Sequence, residues 1–311
     1  EDRLVTLVVD VDRTLTPMGG RELRHWIQQP LCDVAAIDER LDAVARVYAD
    51  AGRAEALVQG LKGIADVPRL VARIAARKAI PRELNALRDA LEIYKLFKRI
   101  YEKNAGNLSA CKNILDFGVG WGRVIRFFLK DLEPQRIWGI DHYDKVIKIC
   151  KQTNKWCNFE WIKPFPPTSF ADNMFDLVFC YSVFSHLSED AHLKWVEEFA
   201  RLLRPGGVLI ATTWQRDFII RCRDARAEKN PAFWTTHLGN IFLDTDRWLA
   251  HYDSGGFCWE TAPEYGNVSY YLGETCIPKG YVLNHWTKHF QFVDYIDDRK
   301  VCPQNVIVMK K

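Results

Sequence analysis

Asp116, Gly118, Gly120, Gly122 and Asp141 are the residues whose types and spacing could hold a nucleotide. The run NILDFGVGWG over 113–122 ends an apolar, strand-like stretch in Asp116 and then sets glycines at alternate positions. Glycines permit positive φ and let backbone approach a ligand closely. The amphipathic RVIRFFLKDL that follows predicts a helix with unpaired N–H groups at its start. A second apolar run, RIWGID, ends in Asp141, where a carboxylate can accept hydrogen bonds from both hydroxyls of a ribose. Gly122 is followed by Arg123 and Val124 rather than Lys-Ser/Thr, which argues against a phosphate-cradling Walker loop. The glycine spacing also differs from the first, third and sixth positions of a dinucleotide fingerprint.

The D-x-G-x-G-x-G pattern resembles motif I of the class I S-adenosylmethionine-dependent methyltransferases. The resemblance implies a Rossmann-like α/β fold with a seven-stranded sheet and S-adenosyl-L-methionine as cofactor. It also implies that Asp116, Gly118, Gly120 and Gly122 pass under the cofactor while Asp141 holds its ribose. His142, Phe165, Tyr181 and Ser182 complete the cofactor-binding set. Lys163, Pro164 and Phe165 end the third strand where the family contacts adenine; many members carry an acid there, a departure in this chain.

The elements that must position these residues follow in the family's order. FEWI at 159–162 reads as a third strand and FDLVFCYS at 175–182 as a fourth, both apolar enough for burial on two faces. Ser188 predicts an N-cap with Glu189 and Asp190 in the first turn, and Leu193, Val196, Phe199, Leu202 and Leu203 give helical spacing. Arg204-Pro205-Gly206-Gly207 stops that helix, and VLIATTW is a fifth strand. FQFVDYID and NVIVMK, joined through Asp298 to Gln304, are expected as the sixth and seventh strands in an antiparallel hairpin.

Acceptor residues are expected beyond the carboxyl ends of strands four and five. His186 is the candidate general base, with a reference pKa near 6.5 suited to neutral pH. Capping or packing beneath the sheet is the alternative for its imidazole. Trp214, His237, Tyr271 and Glu274 are the candidate substrate residues, the last three in an insertion over 215–288 rich in aromatic side chains. Aromatic platforms beside polar groups suit a sugar ring, and the same aromatics could form the insertion's own small core. No metal site is expected, although Asp244, Asp246 and Asp253 keep a magnesium-assisted variant open.

YSVFSHL and YYLGETCIPKGYVLNHWTKHFQFVDYIDD are similar to methyltransferases found with bacterial polysaccharide-biosynthesis enzymes. That implies O-methylation of a glycan hydroxyl. A small-molecule O- or N-methyltransferase and a non-catalytic adaptor with a degenerate fold are the alternatives.

Residues 1–91 differ in composition from 92–311. They hold no phenylalanine, one tryptophan (Trp26), one cysteine (Cys32), and only Lys62 and Lys78 as lysines, which indicates two joined coding histories. Thr16 to Arg21, Trp26 with Pro30 and Leu31, and Asp66 with Arg69 and Leu70 resemble the core, or lever, domain of the mismatch-repair protein MutS. A small all-α segment is implied, as a natural or engineered fusion. Its arginines alternate with acids, as on solvated helix faces, so no nucleic acid is expected. NALRDALEIYKLFKRIYEKN keeps helical periodicity across the junction, which predicts a shared helix.

A net charge of +3 with 27% charged residues gives no argument for nucleic acid. No apolar run reaches a membrane span, and Glu1 is not expected to be a native start. Nine cysteines lack C-x-x-C pairs and zinc spacing, which predicts reduced thiols in a cytoplasmic protein. A homo-oligomer is left open.

Overall fold

The computed structural model describes residues 14, 16–49, 81–154, 156–228, 233–261 and 263–311. The chain divides into two compact units, Glu1–Ala86 and Leu87–Lys311.

In the first unit, Thr16 caps helix α1, Pro17–Gln28, by accepting from the Gly19 N–H, and Pro17 occupies the first turn, where a missing N–H costs nothing. Asp33 caps α2, Val34–Tyr48, through the Ala35 N–H. The Arg40 guanidinium lies 3.9 Å from the centre of the Trp26 ring. The expected Asp66, Arg69 and Leu70 pattern lies outside the described residues. Helix α3, Pro81–Ala105, runs through the unit boundary, as its unbroken periodicity predicted.

The second unit is built on seven strands: β1 Ile114–Phe117, β2 Ile137–Asp141, β3 Asn158–Trp161, β4 Phe175–Cys180, β5 Leu203–Thr213, β8 Gln291–Ile296 and β9 Asn305–Lys310. Between β5 and β8 lie β6 Cys258–Glu260 and β7 Glu274–Cys276, a separate antiparallel pair inside the insertion. β8 and β9 complete the main sheet in the order β3-β2-β1-β4-β5-β9-β8. The first five run parallel, and β9 is antiparallel to both β5 and β8. This is the seven-stranded sheet that the resemblance implied, with the expected hairpin.

Side-chain alternation explains why its strands are apolar throughout. Leu115, Phe117, Val178 and Cys180 enter one core, while Ile114, Leu177 and Phe179 enter the other. Helix α4, Asp144–Thr153, follows β2. Helix α5, Glu189–Leu202, covers the first face, with Trp195 and Phe199 ring centres 4.4 and 5.1 Å from Phe117. Helix α3 covers the second through Phe97, fully buried and 5.6 Å from Phe179. Burying such a ring contributes about 1.5–3 kcal/mol.

Two local expectations change. The segment after the glycines forms a 3₁₀ run, Ile125–Lys130, rather than an α-helix. Arg126 Nε donates to the Gly122 carbonyl at 2.7 Å, and Arg126 Nη2 donates to the Trp121 carbonyl. The side chain thus occupies the carbonyl that an i→i−4 bond from the Arg126 N–H would need. β5 begins at Leu203, five residues before the expected start, with Gly206 at φ 82° and its N–H bonded to the Lys311 carbonyl.

The insertion adds helices α6 Arg216–Ala225, α7 Phe233–Gly239, α8 Thr245–Asp253 and α9 Lys279–His285 around β6 and β7. Phe218, Ile241, Phe242, Tyr252 and Cys258 give it a core of its own, against which Trp248 packs. All nine cysteines are free thiols; Cys32 is exposed and Cys157 half-buried, while the other seven are buried. Among the described residues no helix is long and apolar enough to cross a membrane.

Candidate functional site

The glycine loop turns sharply at the end of β1. Gly118, Gly120 and Gly122 have φ of 73°, 52° and 74°, and the Gly118 and Val119 N–H groups both donate to the Ile140 carbonyl. A Cβ on Gly118 would lie 2.3 Å from Val183 Cγ2, whereas one on Gly120 would meet open space. Gly118 is therefore fixed by close approach as well as by backbone conformation.

The loop is tied to the end of β2. Asp141 Oδ2 accepts from the Gly120 N–H at 3.0 Å and Oδ1 from the Tyr143 N–H at 2.9 Å. Each carboxylate oxygen has further lone-pair capacity, so both remain able to accept from a ribose. His142 Nδ1 is 3.5 Å from Asp141 Oδ1. Asp116 is buried, and its side chain has no hydrogen-bond partner among the described residues. Burial and the neighbouring Asp141 charge hold its carboxyl well above the usual range.

A cavity of about 340 Å³ opens beside this loop. Gly118, Asp141 and His142 form one part of its wall, and Ile162, Lys163 and Pro164 follow from β3. The Pro164 carbonyl is held by Trp195 Nε1 at 3.0 Å. Ser182, Val183 and His186 enter from the turn after β4, and Tyr265 and Tyr271 from the insertion. Trp195 and Tyr265 line the cavity although no motif points to them. A finer reading of α5 periodicity, which places 195 beside 199, would have found the first.

Several expected site residues lie behind the wall. Phe165 stacks on Tyr270 and meets Tyr271 edge-on. Tyr181 falls with Leu177 and Phe179 by strand alternation and packs toward Phe97, with Arg123 5.0 Å above its ring. Ser182 turns to the cavity at φ 61° and receives a bond from Gln304 Nε2.

Trp214, His237 and Glu274 converge instead of facing the cavity. Glu274 is fully buried. Its Oε1 accepts from Tyr265 Oη at 2.8 Å and lies 3.2 Å from His237 Nε2; its Oε2 accepts from Trp214 Nε1 at 2.6 Å. His186 Nδ1 lies 3.5 Å from Oε2 and 3.0 Å from the Gly273 carbonyl. A carbonyl only accepts, which assigns the proton to Nδ1 and leaves a lone pair on Nε2. Nε2 has no hydrogen-bond partner among the described residues.

Burial pulls the His186 pKa down, but the Glu274 charge and the hydrogen bonds of Glu274 and Gly273 outweigh it, so the net shift is upward. For Glu274, burial pushes upward, while His186 and the bonds from His186, His237 and Tyr265 bring the pKa to about 2.

Two of the acids considered for magnesium have other roles. Asp244 caps α8, and Asp253 makes a two-bonded ion pair with Arg216. Among the described residues no cluster of three or more histidine, cysteine or acidic side chains is placed to hold a metal ion.

The sequence model of the methyltransferase domain family matches residues 114–207, which span the glycine loop, Asp141 and the His186 turn. Residues 114–207 thus match the methyltransferase domain family, and S-adenosylmethionine is the cofactor indicated. Asp116 is a buried carboxyl with no hydrogen-bond partner among the described residues, Asp141 keeps both oxygens able to accept from a ribose, and a Cβ on Gly120 would stand in open space.

The model of MutS domain III matches residues 2–153. The two matches overlap over 114–153, which in the structure holds β1 and β2 of the seven-stranded sheet. The MutS of Thermotoga petrophila is 41% identical over 161 residues, covering 47% of this chain and 20% of that protein. The MutS of Clostridium kluyveri is 43% identical over 82 residues, 26% of this chain and 9% of its own. The chain thus spans a fifth or less of these curated relatives.

Among solved structures, the PH0226 protein of Pyrococcus horikoshii is 16% identical, with 70% of this chain and 88% of that one covered at a TM-score of 0.47. The N-methyltransferase NodS of Bradyrhizobium japonicum is 12% identical, with 71% and 94% covered at 0.42. Similarity at this level does not transfer a substrate to the methyltransferase domain.

Proposed function

We propose that the chain is an S-adenosylmethionine-dependent O-methyltransferase acting on a sugar hydroxyl of a bacterial glycan, with His186 as general base. The observation that carries this reading is the His186 imidazole at the cavity wall, with Nδ1 occupied by the Gly273 carbonyl and Nε2 without a hydrogen-bond partner among the described residues.

The cofactor supplies an electrophilic methyl group on a sulfonium leaving group. The chain's own residues do the rest. Asp141 binds and orients the ribose through its two oxygens, and the glycine backbone allows close approach. Ile162, Val183, Leu187 and Leu272 exclude water from the reacting centre. Nε2 of His186 takes the hydroxyl proton as the acceptor oxygen attacks in line, and the imidazolium formed is stabilised by Glu274. Tyr271, buried at the cavity wall beside His142, offers a ring face against which a sugar can rest.

The test is methyl transfer from labelled S-adenosylmethionine to a panel of glycans, with its pH dependence. The raised His186 pKa predicts a rate that climbs with pH until the imidazole is neutral, at a pH above 6.5. His186→Ala should lose roughly a hundred- to ten-thousand-fold in kcat and flatten that rise. Transfer to an amine with only a modest loss in His186→Ala would replace this reading with a small-molecule N-methyltransferase.

A further inference from the structure

Glu274 has the features of a positioning residue. It is fully buried and does not line the cavity, yet four side chains from separate parts of the domain converge on it. Trp214 follows β5, His237 lies on α7, Tyr265 lies in the 3₁₀ segment before β7, and His186 follows β4. Gly273, which precedes Glu274, supplies the carbonyl at 3.0 Å from His186 Nδ1, and its N–H donates back to the His186 carbonyl. Residues 273 and 274 therefore determine both which imidazole nitrogen carries the proton and which charge the ring faces.

A buried carboxylate requires paired donors to remain ionised. Trp214, Tyr265 and His237 provide them, and they saturate the oxygens in an uneven way. Oε1 has two partners, while Oε2 has Trp214 at 2.6 Å and His186 at the longer 3.5 Å. His186 thus feels an ionised carboxylate mainly as charge, and the strength of that contact depends on how firmly Trp214 holds Oε2.

We infer that Glu274 is a positioning residue that sets the protonation of His186, so that the insertion which builds the acceptor side of the cavity also tunes the base. This inference rests on the reading of His186 as the base in the proposed function. It assigns Glu274 no contact with substrate, in contrast to the substrate role its sequence position suggested. The group facing His186 from β7 is Glu274, and from the residue after β5 the Trp214 indole, whose ring centre is 6.4 Å from the imidazole.

The deciding measurement is an NMR titration of histidine imidazoles in the full-length chain, with the His186 signal identified by its loss in His186→Ala. In Glu274→Gln, His186 should lose about tenfold or more in proton affinity, one pH unit. Trp214→Phe keeps the ring that stacks 4.4 Å from Phe218 but removes the donor to Oε2. It should move the His186 titration upward, and it decides the matter if Glu274→Gln fails to fold. A folded Trp214→Phe or Glu274→Gln protein in which His186 titrates as in the parent would overturn the inference. Calorimetric titration with S-adenosylhomocysteine runs beside it. Failure of the parent chain to bind it would remove the methyltransferase reading, while the histidine titration would still report separately on the Glu274 coupling.

Discussion

Asp141 carries two tasks at once, since the carboxylate that faces the cavity also anchors the glycine loop through the Gly120 N–H. Hydrogen bonds to a charged acceptor contribute about 1.5–3 kcal/mol each. Asp141→Ala should therefore weaken S-adenosylhomocysteine about tenfold or more by calorimetry; unchanged affinity would show that the ribose is held elsewhere. The glycines separate backbone cost from steric cost. Gly120→Ala should lose roughly 1–2 kcal/mol for its left-handed φ alone. Gly118→Ala has the same cost plus a 2.3 Å approach to Val183, so its denaturation midpoint should fall further. Val183→Ala should recover part of the loss at 118 and none at 120. Equal recovery at both positions would contradict this account.

At the scale of elements, α5 holds a histidine that must stay neutral. His192 is fully buried, with Nε2 accepting from Trp286 Nε1 at 2.7 Å and its other nitrogen unpaired. Burial, with His285 nearby, lowers its pKa to about 3. A folded pKa below the ordinary 6.5 means that the unfolded chain binds the proton first. Stability contributed by His192 is complete above pH 6.5 and lost as pH falls toward 3. Glu274, lowered to about 2, adds a loss that begins below its ordinary 4.5. His186 has the opposite sign: its contribution is complete below 6.5 and lost as pH rises through its raised folded pKa. His192→Gln keeps an acceptor for Trp286 but does not titrate. Its urea midpoint should depend less on pH between 6.5 and 4.5 than the parent's, and parallel curves would refute the assignment.

For the whole molecule, the division at Ala86 predicts that a chain beginning at Leu87 binds S-adenosylhomocysteine as tightly as the full chain; lost binding would assign residues 1–86 a part in the site. The strands, their order and the loop were legible because burial on two faces demands continuous apolar runs and left-handed turns demand glycine. Ser188 was legible as a cap for the same local reason, and its hydroxyl accepts from the Ala191 N–H. What the sequence hid was set by contacts distant along the chain. The pairing of β6 with β7 brought Glu274 beside a histidine 88 positions earlier, and nothing local to either residue records that meeting.

The sheet also fixes an order of assembly. β8 precedes β9 in the chain, yet its one neighbour in the main sheet is β9, which lies between it and β5. On a ribosome, β8 must therefore wait, synthesised but unzipped, until Asn305–Lys310 has emerged and slotted against β5. Until then the buried run Val208–Thr213 is an open edge of apolar strand, the kind of surface that chaperones shield and that pairs wrongly with a neighbouring nascent chain.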